Sequence, residues 1–431
     1  MSATEYLSEQ LEHLQVISDD GVLSAARVEA KNHFSSLGIP TVRHEEWKYT
    51  RIGGVLNKDY KLGAALSSGD ISIHELPGHA EAHVLVFVNG IYSTERSILR
   101  SGELVILPLE EAAKGSFKAI VDRHFNHSAQ YLKDGMHALN TAGMSGGIFI
   151  HVPERSTLAH PVYIYHIADA RQAPVLAQPR SLCYIGARAE LSITETYSTT
   201  GSADSMTNQV MEMVVEQDAN VAIYRIQNDK ELAHQVNTLH IRQIGKCAVT
   251  VVTLSLNGGI VRNNLNAVLE APYAEAHMYG LYLQNGDSHI DNHTIMDHAV
   301  PNCPSNELYK GILDGNATGV FNGKIFVRKD AQKTNAFQSN KNILLSEGAS
   351  VNTKPQLEIY ADDVKCSHGC TVGSLDEEGL FYLQSRGIPR ERAMALLLQG
   401  FAVDILEQIK PEAIRHYAEE LITERLSTSQ S

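Results

Sequence analysis

Two cysteines and a histidine alternate within five residues towards the C-terminal end of the chain, as Cys366, His368 and Cys370. The preceding run, Leu357 to Tyr360, alternates apolar and polar residues as a half-buried strand does. Side chains two residues apart on an extended segment point to the same face, so the three would lie along one face. Thiolates and a neutral imidazole are ligands for iron or zinc. The pattern predicts metal ligands. Two small buried cysteines and a hydrogen-bonded histidine with a structural role would show the same residue types at the same spacing.

The stretch around these residues, Asp362 to Gly373, reads Asp-Asp-Val-Lys-Cys-Ser-His-Gly-Cys-Thr-Val-Gly. It resembles the signature of the SufB/SufD family, the scaffold components of the SUF iron–sulfur cluster assembly machinery. Two flanking segments continue the resemblance, Lys333–Leu345 upstream and Leu375–Ile388 downstream. A fourth, Arg43–Thr50, contains the only tryptophan and is more similar to SufD members of the family than to SufB members.

Composition limits the classes of protein that the chain can belong to. It has 431 residues, 43% of them hydrophobic, which is enough for a packed core and for more than one domain. A formal charge of −14 argues against nucleic-acid binding. No apolar run approaches the roughly 18 residues that span a bilayer. Five cysteines without framework spacing, and no signal peptide, predict a reducing, cytoplasmic location.

Helical periodicity is confined to the two ends. Apolar residues recur at three- and four-residue spacings through the first forty residues, and Gly38-Ile39-Pro40 would end the second helix. The segment from Glu110 to Leu139 is also predicted to be mostly helical. After Gly373 three further amphipathic helices are expected, followed by a polar end, Ser427 to Ser431, that would fray.

Between Gly147 and Gly373 the pattern changes to alternating strand-like runs separated by Gly, Asn and Asp. Many runs follow a small residue, and these residues recur about every thirty positions, as a solenoid repeat does; they are Ala189, Ala219, Cys247, Ala274, Ala317 and Ala349. One interval, from Ala274 to Ala317, is longer, at 43 residues. We therefore predict a mainly β protein with a parallel β-helix core, and the family resemblance implies a right-handed one flanked by α-helical regions. The predicted domains are 1–146, 147–373 and 374–431.

A second group of potential ligands is His289, His293, His298 and Cys303. Their types suit zinc, but their spacing matches no zinc finger. In a β-solenoid such side chains more often make hydrogen bonds within and between turns, and this is the role we predict. Cys183 and Cys247 lie in apolar runs and are expected in the core.

The resemblance implies a function for the whole chain. It implies a non-catalytic scaffold subunit that pairs with SufB through the β-helices and binds the SufC ATPase through the C-terminal helices. A nascent iron–sulfur cluster would form transiently at the SufB–SufD junction, and the isolated chain would hold no cofactor tightly. Cys366 and His368 match family positions facing that junction, whereas family members often have Ala at Cys370. Lys365 is expected to lower the pKa of Cys366.

Two alternatives remain open at this point. One is a homodimeric solenoid that binds other proteins without metal chemistry, and a homodimer of the isolated chain is possible in either case. The other is a carbohydrate-active β-helix enzyme, which would need paired carboxylates about 5–10 Å apart in a groove. Only Asp362 and Asp363 form an acidic pair there, and adjacent strand residues point to opposite faces.

Overall fold

The computed structural model describes residues 2–14, 21–63 and 71–428. Its core is a β-solenoid of about eight turns with helices at both ends, so the predicted parallel β-helix is confirmed. Of the predicted polar end, Ser427 to Ser431, the first two residues belong to the last helix, and residues 429–431 lie outside the described residues.

Strands are the most abundant secondary structure, at 41% of the residues. In chain order they are β1 (Lys61–Leu62), β2 (His83–Val88), β3 (Ile91–Tyr92), β4 (Val105–Pro108), β5 (Ile148–Val152), β6 (Val162–Ala170), β7 (Val175–Ala177), β8 (Arg180–Ile185), β9 (Glu190–Gly201), β10 (Ser205–Val215), β11 (Asn220–Asn228), β12 (Ala233–Gln243), β13 (Ala248–Asn257), β14 (Ile260–Leu269), β15 (Glu275–Gln284), β16 (His289–His298), β17 (Pro304–Leu313), β18 (Thr318–Val327), β19 (Asn335–Leu344), β20 (Ser350–Thr353), β21 (Gln356–Ile359) and β22 (Lys365–Gly373).

The α-helices lie at the two ends of the chain, as predicted. They are α1 (Ala3–His13), α2 (Val22–Leu37), α3 (Ile52–Val55), α4 (Leu109–Ala112), α5 (Lys118–His124), α6 (Gly135–Gly143), α7 (Glu377–Ser385), α8 (Arg390–Leu406) and α9 (Glu412–Thr428).

The strands alternate between two sheets, which form the two walls of the solenoid. Sheet A runs β20-β18-β16-β14-β12-β10-β8-β5-β4, with β1, β7 and β21 beside this path, and sheet B runs β22-β19-β17-β15-β13-β11-β9-β6-β2-β3. Each turn from β9 to β18 contributes one long strand to each sheet, and strands of neighbouring turns pair in parallel. Since β2 pairs in parallel with β6, the N-terminal region also supplies a strand to the solenoid.

The small residues of the predicted repeat all belong to the core, and the first four, Ala189 to Ala274, lie just before strands of sheet B, whereas Ala349 precedes β20 of sheet A. Ala274 precedes β15, and the next such position is Cys303, which precedes β17. Ala317 precedes β18 of sheet A instead. The 43-residue interval therefore arose because the sequence pattern skipped Cys303 and moved from one wall to the other. Cys183, Cys247 and Cys303 are all buried in this core, which confirms the prediction for the first two.

The turn before several sheet B strands repeats one backbone geometry. Arg188, Asp218, Asn302 and Lys333 each lie two residues before a strand and have φ between 58° and 64°. The backbone N–H of each donates to a carbonyl of the following turn, as from Asn302 to Gln332 at 2.9 Å. Lys333 donates in the same way to the carbonyl of Asp363, so the Asp362–Gly373 segment continues a ladder of stacked turns.

The terminal helices pack on opposite outer walls of the solenoid. Leu7, Trp47 and Leu139 from the N-terminal region form one apolar cluster with Met206 and Val236 of sheet A. Leu380, Ile405 and Ile414 from the C-terminal helices form another with residues of sheet B such as Val252 and Leu281. The end of the solenoid formed by β22 is left uncovered by both groups of helices, and its residues are mostly exposed.

Candidate functional site

The predicted ligands lie on β22, the terminal strand of sheet B. The strand pairs with β19 through the whole register from Asn335–Lys365 to Ile343–Gly373. Cys366, His368 and Cys370 therefore share one face of an extended strand, as the spacing predicted. Cys366 is half-buried, whereas His368 and Cys370 are exposed.

Cys366 packs against the interior of the solenoid, beside Ala336 on the preceding turn. Burial raises the pKa of its thiol. The prediction that Lys365 lowers this pKa is therefore wrong, because adjacent strand residues point to opposite faces and the loss of water around the thiol dominates.

His368 and Cys370 extend two polar columns of the solenoid interior. In the parallel register, His368 lies beside Gln338 and Cys370 beside Asn340. Both β19 partners are buried, with Gln338 3% exposed and Asn340 fully buried. Earlier turns also hold buried polar side chains at inward positions, among them the Glu195–Arg225 ion pair, so the polar lining is not confined to the β22 end.

One turn further in, the column beneath His368 contains a carboxyl group. Glu307 lies in register with Gln338, is 2% exposed and accepts a hydrogen bond from Gln338 Nε2 to its Oε2 at 2.6 Å. Burial raises the pKa of Glu307 to about 7, although the bond from Gln338 acts in the opposite direction. A carboxyl group inside the solenoid thus titrates near neutral pH.

Glu307 and Gln338 were not predicted as site residues. The signal was present, because the Lys333–Leu345 motif alternates Ala336, Gln338, Asn340 and Asn342 on what proves to be its inward face. Polar residues at inward positions of a strand are unusual unless they have partners there.

Large apolar side chains are exposed on β19, β21 and β22 and in the segment between β21 and β22, and together they are called the apolar rim. They are Phe337 (45% exposed), Ile359 (38%), Tyr360 (61%) and Val372 (49%). An apolar group of this kind, together with the exposed strand, is typical of a surface that another protein covers. A second exposed apolar group lies on α7 and α8, where Phe381 is 74% and Tyr382 57% exposed.

The histidines of the second predicted group bind separate partners. His289 Nε2 lies 2.8 Å from Thr50 Oγ1, His293 Nε2 lies 2.9 Å from Asp291, and His298 Nε2 lies 2.9 Å from Ser305 Oγ. The thiol of Cys303 donates to the Ala271 carbonyl. These hydrogen bonds confirm the structural role that the sequence predicted for them.

The metal site and the acidic pair considered from the sequence can be compared with the structure. Within residues 2–14, 21–63 and 71–428, no three His, Cys, Asp or Glu side chains converge on one point in a way that could hold a metal ion. Asp362 and Asp363 are both exposed in the bend before β22, and the backbone N–H of Asp363 donates to Gln332 Oε1 at 2.9 Å.

No described helix has the length and apolar character needed to cross a membrane.

The fold and its exposed end define a class: a parallel β-helix protein with thiol and imidazole side chains on its terminal strand. Comparison with family models identifies the family. The "SUF system FeS cluster assembly, SufBD core domain" model matches residues 166–401, and the "SufBD protein N-terminal region" model matches residues 2–164. The chain belongs to the SufBD family of iron–sulfur cluster assembly proteins.

Curated relatives support this over most of the chain. An iron–sulfur cluster assembly SufBD family protein of Synechocystis is 31% identical over 408 residues, which cover 91% of this chain and 88% of the relative. The iron–sulfur cluster assembly protein SufD of Escherichia coli is 29% identical over 406 residues, which cover 92% of each chain. A SufBD family protein of Pyrococcus horikoshii is 27% identical over 322 residues, 72% of this chain and 69% of the relative.

Proposed function

We propose that this chain is a non-catalytic scaffold subunit that pairs with SufB through the β22 end of its solenoid. A nascent iron–sulfur cluster then forms transiently at the junction, with His368 and Cys366 among the residues that contact it and Cys370 beside them. The observation that carries the proposal is the position of His368, exposed on the terminal strand at the end of the solenoid that carries the apolar rim.

The spacing of the three side chains favours a site shared between two proteins. Residues two apart on a strand are separated by about 6.7 Å, so Cys366, His368 and Cys370 cannot all bind one iron ion. One or two of them can contact an iron–sulfur cluster, and a second protein would supply the remaining ligands. The apolar rim would be buried in the same contact. Since the cluster is cargo, a small number of ligands from each side allows it to leave.

The second exposed apolar group, on α7 and α8, is proposed as the surface that binds the SufC ATPase. ATP turnover would then belong to SufC. Phe381 and Tyr382 lie on the side of α7 that does not pack on sheet B, whereas Leu380 of the same helix is 1% exposed. The helix is therefore held on the solenoid by one face and presents the other to a partner.

Cluster assembly with purified SufB and SufC under anaerobic conditions tests the proposal. We compare the wild-type chain with His368→Ala and with Ser367→Ala, an adjacent control whose side chain points to the opposite face of β22. Size-exclusion chromatography first establishes that each variant assembles, and iron, sulfide and visible absorbance are then measured.

We expect the His368→Ala complex to lose most of its cluster while the Ser367→Ala complex retains it. Normal cluster content in an intact His368→Ala complex would contradict a ligand role for His368. In that case the chain would act as a framework for SufB and SufC, and Cys366→Ser would be tested next.

A further inference from the structure

We propose that Gln338 is a positioning residue for His368: its side-chain oxygen accepts a hydrogen bond from one imidazole N–H and so determines which ring nitrogen is free to bind the cluster. The purpose of this hydrogen bond rests on the proposed function. The hydrogen bond itself joins two neighbouring turns and can be tested on the chain alone.

The register places the two side chains side by side. Gln338 and His368 are paired residues of neighbouring parallel strands, and their backbones are therefore about 4.8 Å apart. Both side chains point to the same face of sheet B, since each lies two residues from the paired positions Ala336 and Cys366 that contact the core. At this separation an amide and an imidazole are within reach of a direct hydrogen bond.

The amide of Gln338 has a defined orientation. Its Nε2 donates to Glu307 Oε2 at 2.6 Å on the turn further in. Above the raised pKa of Glu307 the carboxylate is ionised and can only accept hydrogen bonds, so the amide nitrogen faces Glu307 and the amide oxygen faces elsewhere. That oxygen, Gln338 Oε1, is buried and has no hydrogen-bond partner among the described residues.

A buried amide oxygen without a partner is unfavourable, and His368 is the paired residue on the exposed side of Gln338. A neutral imidazole carries one N–H and one lone pair on its two nitrogens. If Gln338 Oε1 accepts the N–H, the lone pair of the other nitrogen faces away from the solenoid, where a cluster would be bound. Histidine ligands of metals are commonly oriented by such a second hydrogen bond.

Three side chains thus form a series across successive turns: Glu307 orients Gln338, and Gln338 orients His368. Without the amide, an exposed imidazole would exchange between its two tautomers, and only a fraction of the molecules would present the correct nitrogen. This assigns a purpose to Gln338, one of the inward polar residues of the Lys333–Leu345 motif.

Nitrogen-15 NMR of the histidine ring tests this on the full chain without any partner. The ring resonances of His368 are assigned by their loss in His368→Asn. Spectra are recorded at about pH 8.5, well above the usual imidazole pKa of about 6.5, so that the ring is neutral. The two tautomers give different pairs of ring nitrogen shifts.

We expect one dominant tautomer of His368 in the wild-type chain. Gln338→Leu removes the acceptor and should shift both ring resonances towards the averaged position of an unconstrained imidazole. Ser339→Ala, on the opposite face of the same strand, should leave them unchanged. Glu307→Gln gives a second variant in case Gln338→Leu folds poorly. Its neutral amide no longer requires the Gln338 nitrogen to face it, so a smaller shift in the same direction is expected.

Averaged resonances in the wild type, or a single tautomer that persists in both Gln338→Leu and Glu307→Gln, would overturn the inference and leave the proposed function intact. A tautomer that depends on Gln338, together with normal cluster content in His368→Ala, would instead support the hydrogen bond and overturn the ligand role. The two failures are therefore distinguishable.

Discussion

Arg262 of β14 lies beneath the indole ring of Trp47, with its guanidinium carbon 3.9 Å from the ring centroid. Trp47 is 1% exposed and belongs to the Arg43–Thr50 element that the sequence singled out. Arg262 also donates to Asp291 Oδ2 and to the Glu46 carbonyl, both at 2.7 Å. The element therefore binds the N-terminal region to sheet A through a buried cation.

Replacing Arg262 should release this element. Arg262→Leu removes the guanidinium from Asp291, which is 1% exposed and keeps only Thr50 and His293 as partners, and breaking a buried ion pair costs up to about 3–5 kcal/mol. Trp47 is the only tryptophan, so its fluorescence reports on the element directly. We expect its emission to change at a lower urea concentration than in the wild type.

The matched control for this prediction is Arg43→Leu, which replaces an exposed arginine of the same element and should change stability by less than about 0.5 kcal/mol. Equal fluorescence midpoints for the wild type and Arg262→Leu would show that the buried cation does not hold the element.

The raised pKa of Glu307 predicts a specific pH dependence of stability. Its pKa rises from 4.5 to about 7 on folding, so the folded state binds the proton more tightly than the unfolded state. The stabilisation is present below pH 4.5 and is lost as the pH rises through about 7, by roughly 3 kcal/mol in total. Glu307→Gln should remove this loss.

The measurement is the free energy of unfolding by urea at pH 5 and pH 8 for both proteins. The free energy of unfolding of Glu307→Gln minus that of the wild type should be larger at pH 8 than at pH 5. A difference that is the same at both pH values would contradict the raised pKa.

Buried histidines predict the opposite behaviour on the acid side. His127 Nδ1 lies 2.8 Å from His240 Nε2, where the α5–α6 region meets sheet A. Burial lowers the pKa of both, to about 3 for His240, and Arg242 lowers them further. The unfolded chain therefore binds more protons below pH 6.5, and stability falls as the pH falls from 6.5 towards these lower values.

His240→Gln should reduce this acid sensitivity, which unfolding midpoints at pH 7.5 and pH 5 would measure. His33→Gln replaces an exposed histidine of α2 and should leave the acid sensitivity unchanged. If both variants lose stability with acid as the wild type does, the His127–His240 contact is not the source of the effect.

The proposed SufC surface predicts a loss of binding without a loss of folding. Phe381→Asp places a charge at the centre of an exposed apolar group and should weaken SufC binding by at least about 2 kcal/mol, or roughly thirtyfold. Isothermal titration calorimetry would measure the dissociation constant, and the far-UV spectrum should be unchanged because Phe381 is 74% exposed.

Glu378→Gln, an exposed change one turn earlier on α7, is the control and should bind SufC as the wild type does. Unchanged affinity in Phe381→Asp would place the SufC contact elsewhere on the chain.

The sequence predicted the solenoid because its signal is local and repeated. Alternating runs with small residues before them recur about every thirty positions, and the class of fold that they predict is confirmed. The assignment of each run to a wall could not be read in this way, because strands of both sheets alternate with the same period of two. The role of Cys303 as one of the small residues before sheet B was missed for this reason.

The predicted ligands illustrate the same limit. Spacing was enough to place Cys366, His368 and Cys370 on one face of a strand, since that depends only on the pleat. The pKa of Cys366 was mispredicted because burial depends on the turn beneath it and not on the neighbouring lysine.

Sequence alone therefore determined what depends on neighbours along the chain: the β-helix, the terminal helices, the family and the face that Cys366, His368 and Cys370 share. Tertiary structure decided what depends on stacking between turns about thirty residues apart. It placed Glu307 and Gln338 beneath His368, left β22 as the exposed end of sheet B, and gave each histidine of the second group a separate partner. Register between distant strands is set by the packing of the whole solenoid, and no single segment contains that information.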